Sequence, residues 1–278
     1  MQFGCCGSLI SPSTDPIGIE MVETMAEIGF DYIELSLADL AALPERAFSG
    51  LARRVERSGI RCEACNNFFP PRIRLTGAEA RLNTALDYAG RALDRAARLG
   101  ARIIVFGSAG AKNVPDGFSK TDAWRQIVAL LKRLGPVAAE HNLTIAIEPI
   151  NKREANIVNL VADGLRLARE VRHSNIQLLV DFYHFMLERE DLAILAEAGP
   201  AIRHVHFAKV EGRGFPAARE PDYAGFFDTL RHVGYSGRCS IEACTTDFPT
   251  DARRALHMLR VQDKPAADCT GAPKQPTA

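Results

Sequence analysis

A repeated exchange between helical and extended sequence is the feature that most constrains the fold of this chain. A helical stretch ends in Gly, Asn or Pro, and a short apolar run follows within a few residues. Gly and Asn tolerate the left-handed conformation that ends many helices. The exchange occurs at Gly29, Gly59, Gly100, Asn142, Asn175, Gly199 and Gly237. With Gln2 to Cys6 as a first strand, the pattern predicts eight strands separated by helices.

The predicted strands indicate a parallel sheet that helices cover. They are short, β-branched and apolar through most of their length, which is typical of parallel strands buried on both faces. The intervening segments repeat apolar residues at helical spacing, as at Leu82, Leu86, Ala89, Leu93 and Ala96. Eight such units favour an α/β fold, a single-domain (β/α)₈ TIM barrel over residues 1–262. A doubly wound open sheet is the alternative. Residues 263–278, rich in Pro, Ala, Lys and Thr, are predicted to be a disordered tail.

Composition limits the partners that this chain is expected to have. Its 278 residues contain 34 Lys and Arg against 34 Asp and Glu, so a nucleic-acid partner held by overall positive charge is not expected. No apolar run approaches a membrane span, and no signal peptide is evident. The seven cysteines predict reduced thiols and a cytoplasmic location. Cys62 and Cys65 form a C-x-x-C string within a strand, where residues three apart point to opposite faces, so strand packing is predicted rather than redox chemistry.

Acidic residues and a histidine collect where four successive predicted strands end. Strand five ends at Glu148, strand six at Asp181 and strand eight at Glu242, and strand seven carries His206. Such groups are costly at the end of an apolar strand unless they are paired or bound to a cation. Carboxylates with one imidazole suit a divalent metal with open positions, such as Mn²⁺, Mg²⁺ or Co²⁺, with Zn²⁺ as a further option. The alternative is a set of unrelated salt-bridged residues at the barrel rim.

Three further polar residues near these strand ends have other predicted roles. His184 lies three residues after Asp181, and we expect it to contact a substrate rather than a metal. His204 lies two residues before His206 and so points to the same side, one layer deeper. It is predicted to be a hydrogen-bonded core histidine. Glu34 in strand two either lines the mouth or anchors a loop.

Four segments resemble the xylose isomerase-like TIM barrels, and within them the ketose 3-epimerases of the D-tagatose and D-psicose 3-epimerase group. The resemblance extends over most of residues 1–261. The segments are IEPINKREANIVN at Ile147 to Asn159, LLVDFYHF at Leu178 to Phe185, RHVHFAK at Arg203 to Lys209, and CSIEA at Cys239 to Ala243. The joint occurrence of these segments is specific to the superfamily and less specific to one substrate.

The resemblance implies a role for each site residue. Glu148, Asp181, His206 and Glu242 would hold one divalent metal, with Mn²⁺ favoured, and Glu148 and Glu242 would also be the acid/base pair. The residues that would contact sugar hydroxyls are Glu154, His184 and Arg213. Such a metal stabilises the enediolate formed when a proton α to a ketone is removed. One carboxylate on each face of C3 would then epimerise a ketose. The resemblance also implies a homodimer or homotetramer.

Two alternatives for the reaction on the same barrel stay open. A hydroxypyruvate-type aldose–ketose isomerase shares the Glu-Pro-Ile-Asn string, and a dehydratase of the inosose or dehydroshikimate type would expel a β-hydroxyl after the same proton removal. In each case the partner is a small sugar or keto-polyol. The first strand, which ends Cys5-Cys6-Gly7-Ser8, lacks the aromatic residue that the resemblance predicts near the sugar. The loop at 107–117 lacks the expected aromatic pattern as well. Both departures concern the identity of the substrate rather than the chemistry of the reaction.

Overall fold

Eight parallel strands close into a barrel in chain order. The computed structural model describes residues 1–218 and 220–264. Each strand pairs with its neighbours along the chain, and β1 pairs with β8 to complete the barrel. The strands are β1 (Gln2–Cys6), β2 (Tyr32–Ser36), β3 (Arg61–Asn66), β4 (Ile103–Phe106), β5 (Thr144–Ile147), β6 (Ile176–Asp181), β7 (Ile202–Phe207) and β8 (Arg238–Ile241). The predicted (β/α)₈ TIM barrel is confirmed, and the open sheet is excluded.

Helices surround the barrel and connect its strands. They are α1 (Val22–Ile28), α2 (Leu37–Ala42), α3 (Glu45–Ser58), α4 (Leu82–Arg98), α5 (Ala109–Lys112), α6 (Lys120–Glu140), α7 (Val161–Val171), α8 (Phe182–Leu187), α9 (Ala193–Ala198), α10 (Pro221–His232) and α11 (Phe248–Gln262). In α4, Ala89, Leu93 and Ala96 are buried as predicted, whereas Leu82, at the first residue of the helix, is exposed. Within the described ranges, no helix is both long and apolar enough to cross a bilayer.

Residues in the left-handed conformation end several of these helices. Gly29, Gly59 and Gly100 have φ of 95°, 76° and 88°, which explains the Gly punctuation that predicted the fold. The ends of α7 and α10 differ from the sequence expectation. A left-handed Arg172 ends α7, and Gly234 follows α10 with φ of 74°. Asn175 and Gly237 therefore lie in the connections rather than at the helix ends.

A β-bulge in β3 alters the directions of its side chains. Ile33 of β2 pairs with Cys62, but the next residue, Glu34, pairs with Ala64. The residue between them in β3 is thus an extra one. The Cys62 and Cys65 sulfur atoms lie 4.0 Å apart as buried free thiols. The prediction that they point to opposite faces is wrong, because the bulge shifts the alternation of side chains by one residue.

Two apolar layers form the core and leave the carboxyl end of the barrel free for polar groups. The larger layer lies between the strands and the surrounding helices. The smaller one fills the barrel interior with Tyr32, Ala64, Ile103, Val105, Ala146 and Leu179. The last helix, α11, ends at Gln262, the last residue of the predicted domain. Residues 265–278 of the predicted tail lie outside the described residues, and its disorder stays a prediction.

Candidate metal centre and active site

Four candidate ligands converge at the carboxyl end of the barrel. Each follows or belongs to one of the strands β5 to β8, and their ligand atoms all lie within 4.8 Å of one another. They are Glu148, Asp181, His206 and Glu242. His206 connects two of them, since its Nδ1 is 3.1 Å from Glu148 Oε1 and 3.2 Å from Glu242 Oε2. The structure brings together all four residues that the sequence nominated as metal ligands.

Backbone pairing fixes the positions of the two glutamates. Glu148 and Glu242 lie one residue beyond β5 and β8, whereas the sequence predicted them as the final strand residues. The strand pairing nevertheless continues through them. The Glu148 N–H donates to Phe106 O at 3.2 Å, and the Glu242 N–H donates to Phe207 O at 3.1 Å. Both carboxylates are therefore presented by backbone that is held in the barrel.

Asp181 divides its oxygens between a helix and the candidate site. Oδ1 accepts hydrogen bonds from the backbone N–H groups of Tyr183 and His184, at 2.7 and 3.4 Å, and so caps α8. Oδ2 is buried and has no hydrogen-bond partner. A buried carboxylate oxygen without a partner is unfavourable. A cation bound among the four ligands would satisfy it.

Gly107 makes room for the Glu148 carboxylate where the chain leaves β4. A β-carbon added at Gly107 would overlap Glu148 Oε2. The position of this carboxylate therefore requires a residue without a side chain at 107. Together with the unpartnered Asp181 oxygen and the donor set of three carboxylates and one imidazole, this arrangement fits a divalent metal ion.

The charges of these groups depend on one another. Burial raises the pKa of Glu242, but the charges of His206 and Arg213 outweigh this and lower its pKa to about 2. Burial lowers the pKa of His206, yet Glu34 and Glu242 raise it well above its ordinary value. Burial raises the pKa of Asp181, because nearby positive charge offsets the effect only in part. The charged form of Glu242 is thus stabilised by adjacent positive charge, the condition that a divalent cation also provides.

The three residues that the resemblance linked to substrate lie beside this cluster. Arg213 forms an ion pair with Glu242, and its guanidinium is 3.6 Å from Asp181 Oδ2 and 3.7 Å from Glu154 Oε2. His184 Nε2 is 3.6 Å from Asp181 Oδ2. Glu154 lies in the segment after β5, His184 in α8 after β6, and Arg213 in the segment after β7. The structure therefore brings them together at one mouth with the candidate ligands.

Asn151 links two of these residues, and the sequence reasoning gave it no role. It is 1% exposed, and its Nδ2 donates to Glu154 Oε1 at 2.8 Å. The same Nδ2 lies 2.7 Å from His184 Nδ1. An amide nitrogen only donates, so His184 accepts at Nδ1 and carries its proton on Nε2. The signal was present in the sequence, since Asn151 is the asparagine of the Glu-Pro-Ile-Asn string.

Glu34 and His204 lie beneath the candidate ligands, inside the barrel. Both are fully buried, and Glu34 Oε2 is 2.9 Å from His204 Nε2. His204 is a hydrogen-bonded core histidine, as predicted. Glu34 neither lines the mouth nor anchors a loop, because its second oxygen lies 2.9 Å from His206 Nε2. Burial raises the pKa of Glu34, but the charges of the two histidines hold it well below its usual range.

A closed parallel barrel with these ligands at its carboxyl end agrees with the comparison against known families. The profile of the xylose isomerase-like TIM barrel matches residues 22–262. The chain belongs to the xylose isomerase-like TIM barrel family. In this family member the matched range includes seven of the eight strands, β2 to β8, together with all four candidate ligands.

Individual relatives of this xylose isomerase-like barrel are named as epimerases. The L-ribulose 3-epimerase of Mesorhizobium japonicum is 27% identical over 238 residues, covering 82% of this chain and 77% of that protein. The ketose 3-epimerase of Arthrobacter globiformis is 26% identical over 266 residues, covering 94% and 90%. A D-psicose 3-epimerase from Clostridium cellulolyticum H10, solved with D-tagatose, superposes with a TM-score of 0.83 at 17% identity, covering 95% and 100%. The likeness to this structure supports the fold. The named relatives support the prediction of an isomerase-class enzyme.

Proposed function

We propose that this protein is a divalent-metal-dependent ketose 3-epimerase that removes and replaces a proton at C3, next to a ketone. The observation that carries the proposal is the convergence of Glu148 and Glu242 on His206 Nδ1, at 3.1 and 3.2 Å, from strands five and eight. Epimerisation needs one carboxylate on each face of the reacting carbon. Two carboxylates that follow two different strands, β5 and β8, support such an arrangement.

In this proposal, Glu148, Asp181, His206 and Glu242 hold the metal, with Mn²⁺ as the favoured ion. When bound, a divalent metal polarises the ketone oxygen and stabilises the negative charge that develops as the proton leaves. Glu148 and Glu242 exchange protons with C3 from opposite faces. Glu242 is ionised at neutral pH, which is the form that accepts a proton, because the charges of His206 and Arg213 outweigh the effect of burial on its pKa.

Sugar binding is assigned to Glu154, His184 and Arg213. Glu154 accepts a hydrogen bond from Asn151, which also fixes the proton of His184 on Nε2, so that this N–H is free to donate to a substrate oxygen. Arg213 has donors on both sides of its guanidinium and lies over the Tyr183 ring at 4.9 Å. These groups match the hydroxyl and carbonyl oxygens of a small sugar or keto-polyol. A homodimer or homotetramer and a cytoplasmic location stay predictions.

The test is proton NMR in D₂O with the Mn²⁺-loaded protein and a panel of free ketoses and keto-acids. The metal is chelated before each spectrum. Deuterium at C3 together with a new epimer is the expected result. Deuterium at C1 or C2 with an aldose or aldehyde product would assign an aldose–ketose isomerase instead. Loss of a hydroxyl would assign a dehydratase.

Glutamine variants test the two-carboxylate mechanism. Glu148→Gln and Glu242→Gln are each expected to slow epimerisation by roughly 10²–10⁴-fold, because each removes one acid/base group. Each variant should still exchange deuterium into one epimer only, and the retained epimer should differ between the two.

Glu63→Gln is the matched control for these variants. Glu63 is a buried glutamate in β3, but it pairs with Arg238, whose Nε is 2.6 Å away, and not with the ligand cluster. It should epimerise at close to the normal rate. Near-normal turnover in the Glu242→Gln variant, with its metal retained, would overturn the mechanism.

A further inference from the structure

Glu34 is a fully buried carboxylate in β2 that accepts three hydrogen bonds. Its Oε1 is 2.9 Å from His206 Nε2, and its Oε2 is 2.9 Å from His204 Nε2. The Ser240 hydroxyl donates to the same Oε2 at 2.6 Å. An ionised carboxylate only accepts, so each histidine must present an N–H at Nε2. Both oxygens of Glu34 are therefore engaged on the inner side of the candidate metal site.

His206 lies between Glu34 and the candidate ligands. Its Nε2 is directed to Glu34, while its Nδ1 lies 3.1 Å from Glu148 Oε1 and 3.2 Å from Glu242 Oε2. An imidazole that holds its proton on Nε2 keeps its lone pair on Nδ1 for a metal. The identity of the coordinating nitrogen thus depends on the acceptor at Nε2.

We propose that Glu34 is a positioning residue of the metal site. It holds the proton of His206 on Nε2 and fixes the plane of the ring, so that the Nδ1 lone pair is directed at the ion. Glu34 itself touches neither the metal nor the sugar. This inference rests on the metal site proposed above. Residues that orient a ligating histidine in this way typically change metal affinity by about 10–100-fold when replaced.

The surroundings of Glu34 leave its carboxylate little freedom. Ser240 on β8 donates to Glu34 and also lies 2.8 Å from the Tyr32 hydroxyl. The Tyr32 ring in turn packs against Gly4 of β1, where an added β-carbon would overlap it. The chain Tyr32–Ser240–Glu34 connects β2 to β8, the two strands on either side of β1, beneath the ligand cluster. Rotation of the carboxylate would break several of these buried contacts at once.

The experiment measures the Mn²⁺ dissociation constant by the EPR signal of free Mn²⁺. Glu34→Gln is expected to weaken Mn²⁺ binding by about 10–100-fold, because the amide removes the charge that holds the His206 proton. Glu63→Gln, at a buried glutamate that pairs with Arg238 and not with the ligand cluster, is expected to change the constant by less than about twofold. Circular dichroism and thermal unfolding report whether each variant is folded.

A double-mutant cycle separates positioning from a general effect on the barrel. In a His206→Ala background, Glu34→Gln should change the Mn²⁺ constant by less than about twofold, since its route to the ion is gone. An equal loss in both backgrounds would overturn the inference. Ser240→Ala, which removes one donor from Glu34 and no metal-facing atom, should weaken binding by about threefold and serves if Glu34→Gln does not fold.

The outcomes distinguish this inference from the proposed function. If the wild-type protein binds no Mn²⁺, both the proposed metal site and the proposed role of Glu34 are wrong. If the wild-type protein binds Mn²⁺ and Glu34→Gln binds it equally well, only the proposed role of Glu34 is wrong, and the proposed metal site is retained. Nitrogen NMR of labelled histidine gives a second readout, in which the Nε2–H form of His206 should be lost or exchange-broadened in Glu34→Gln but retained in Glu63→Gln.

Discussion

At the scale of single residues, Lys112 is a buried cationic side chain to which the proposed chemistry gives no role. It lies at the end of α5, is fully buried, and donates from Nζ to the backbone oxygen of Glu148 at 3.0 Å. Burial lowers its pKa to about 8, although the charge of Glu148 opposes the shift. No sequence signal distinguished Lys112 from an exposed lysine, because its burial depends on the loops that close over it.

The lowered pKa of Lys112 predicts a pH-dependent stability. Below pH 8 the ammonium is charged in the folded and unfolded states alike, and its burial is unfavourable. Between about pH 8 and the ordinary value of 10.5, the folded state releases the proton first, so stability rises with pH. From pH 7.5 to 9.5, wild type should gain about 2 kcal/mol of unfolding free energy relative to Lys112→Met in urea titrations. Lys132→Met, at an exposed lysine, is the control, and a pH-independent difference for Lys112→Met would contradict the assignment.

At the scale of elements, two mid-helix glycines illustrate how packing sets the effect of one sequence change. Gly90 in α4 has open space where a β-carbon would be. In α6, a β-carbon at Gly135 would come within 2.5 Å of the His173 ring. Propensity treats both positions alike, since glycine is unfavourable inside any helix. The difference comes from His173, in the connection between α7 and β6, which packs against Gly135 and has no counterpart at Gly90.

Alanine at these two positions should therefore have opposite effects. Gly90→Ala is expected to raise the free energy of unfolding by roughly 0.5–1 kcal/mol through helix propensity. Gly135→Ala is expected to lower it by roughly 1–3 kcal/mol, because the His173 ring must move. Urea unfolding of the two variants measures both changes. A rise in the free energy of unfolding in both variants would show that propensity alone governs these helices.

At the scale of the whole molecule, the four candidate ligands, at the ends of β5 to β8, join distant parts of the chain, so metal binding at this site should be coupled to folding. An ion whose free concentration is 100 times its Kd stabilises the folded state by about 2.7 kcal/mol. For a chain of 278 residues, that corresponds to a rise in Tm of roughly 5 °C. Scanning calorimetry with Mn²⁺ and with a chelator measures the difference.

Asp181→Asn is the variant that tests this coupling. Asn is also a good helix cap, so α8 should be preserved while the oxygen directed at the ion loses its charge. The rise in Tm should shrink to a small fraction of its wild-type size, while Glu63→Gln keeps it. An unchanged rise in Asp181→Asn would locate the metal elsewhere.

The sequence by itself determined the barrel and its four candidate ligands. Helix-ending residues and short apolar runs repeat along the chain, and parallel strands in a barrel end at one mouth, so Glu148 and its three partners could be named from strand ends alone. Only the tertiary structure decided the bulge at Cys62, the burial of Lys112 and the contact of Glu34 with His206. These depend on register and on side chains from strands distant in sequence. Local periodicity carries no information about which residues face one another across the barrel interior.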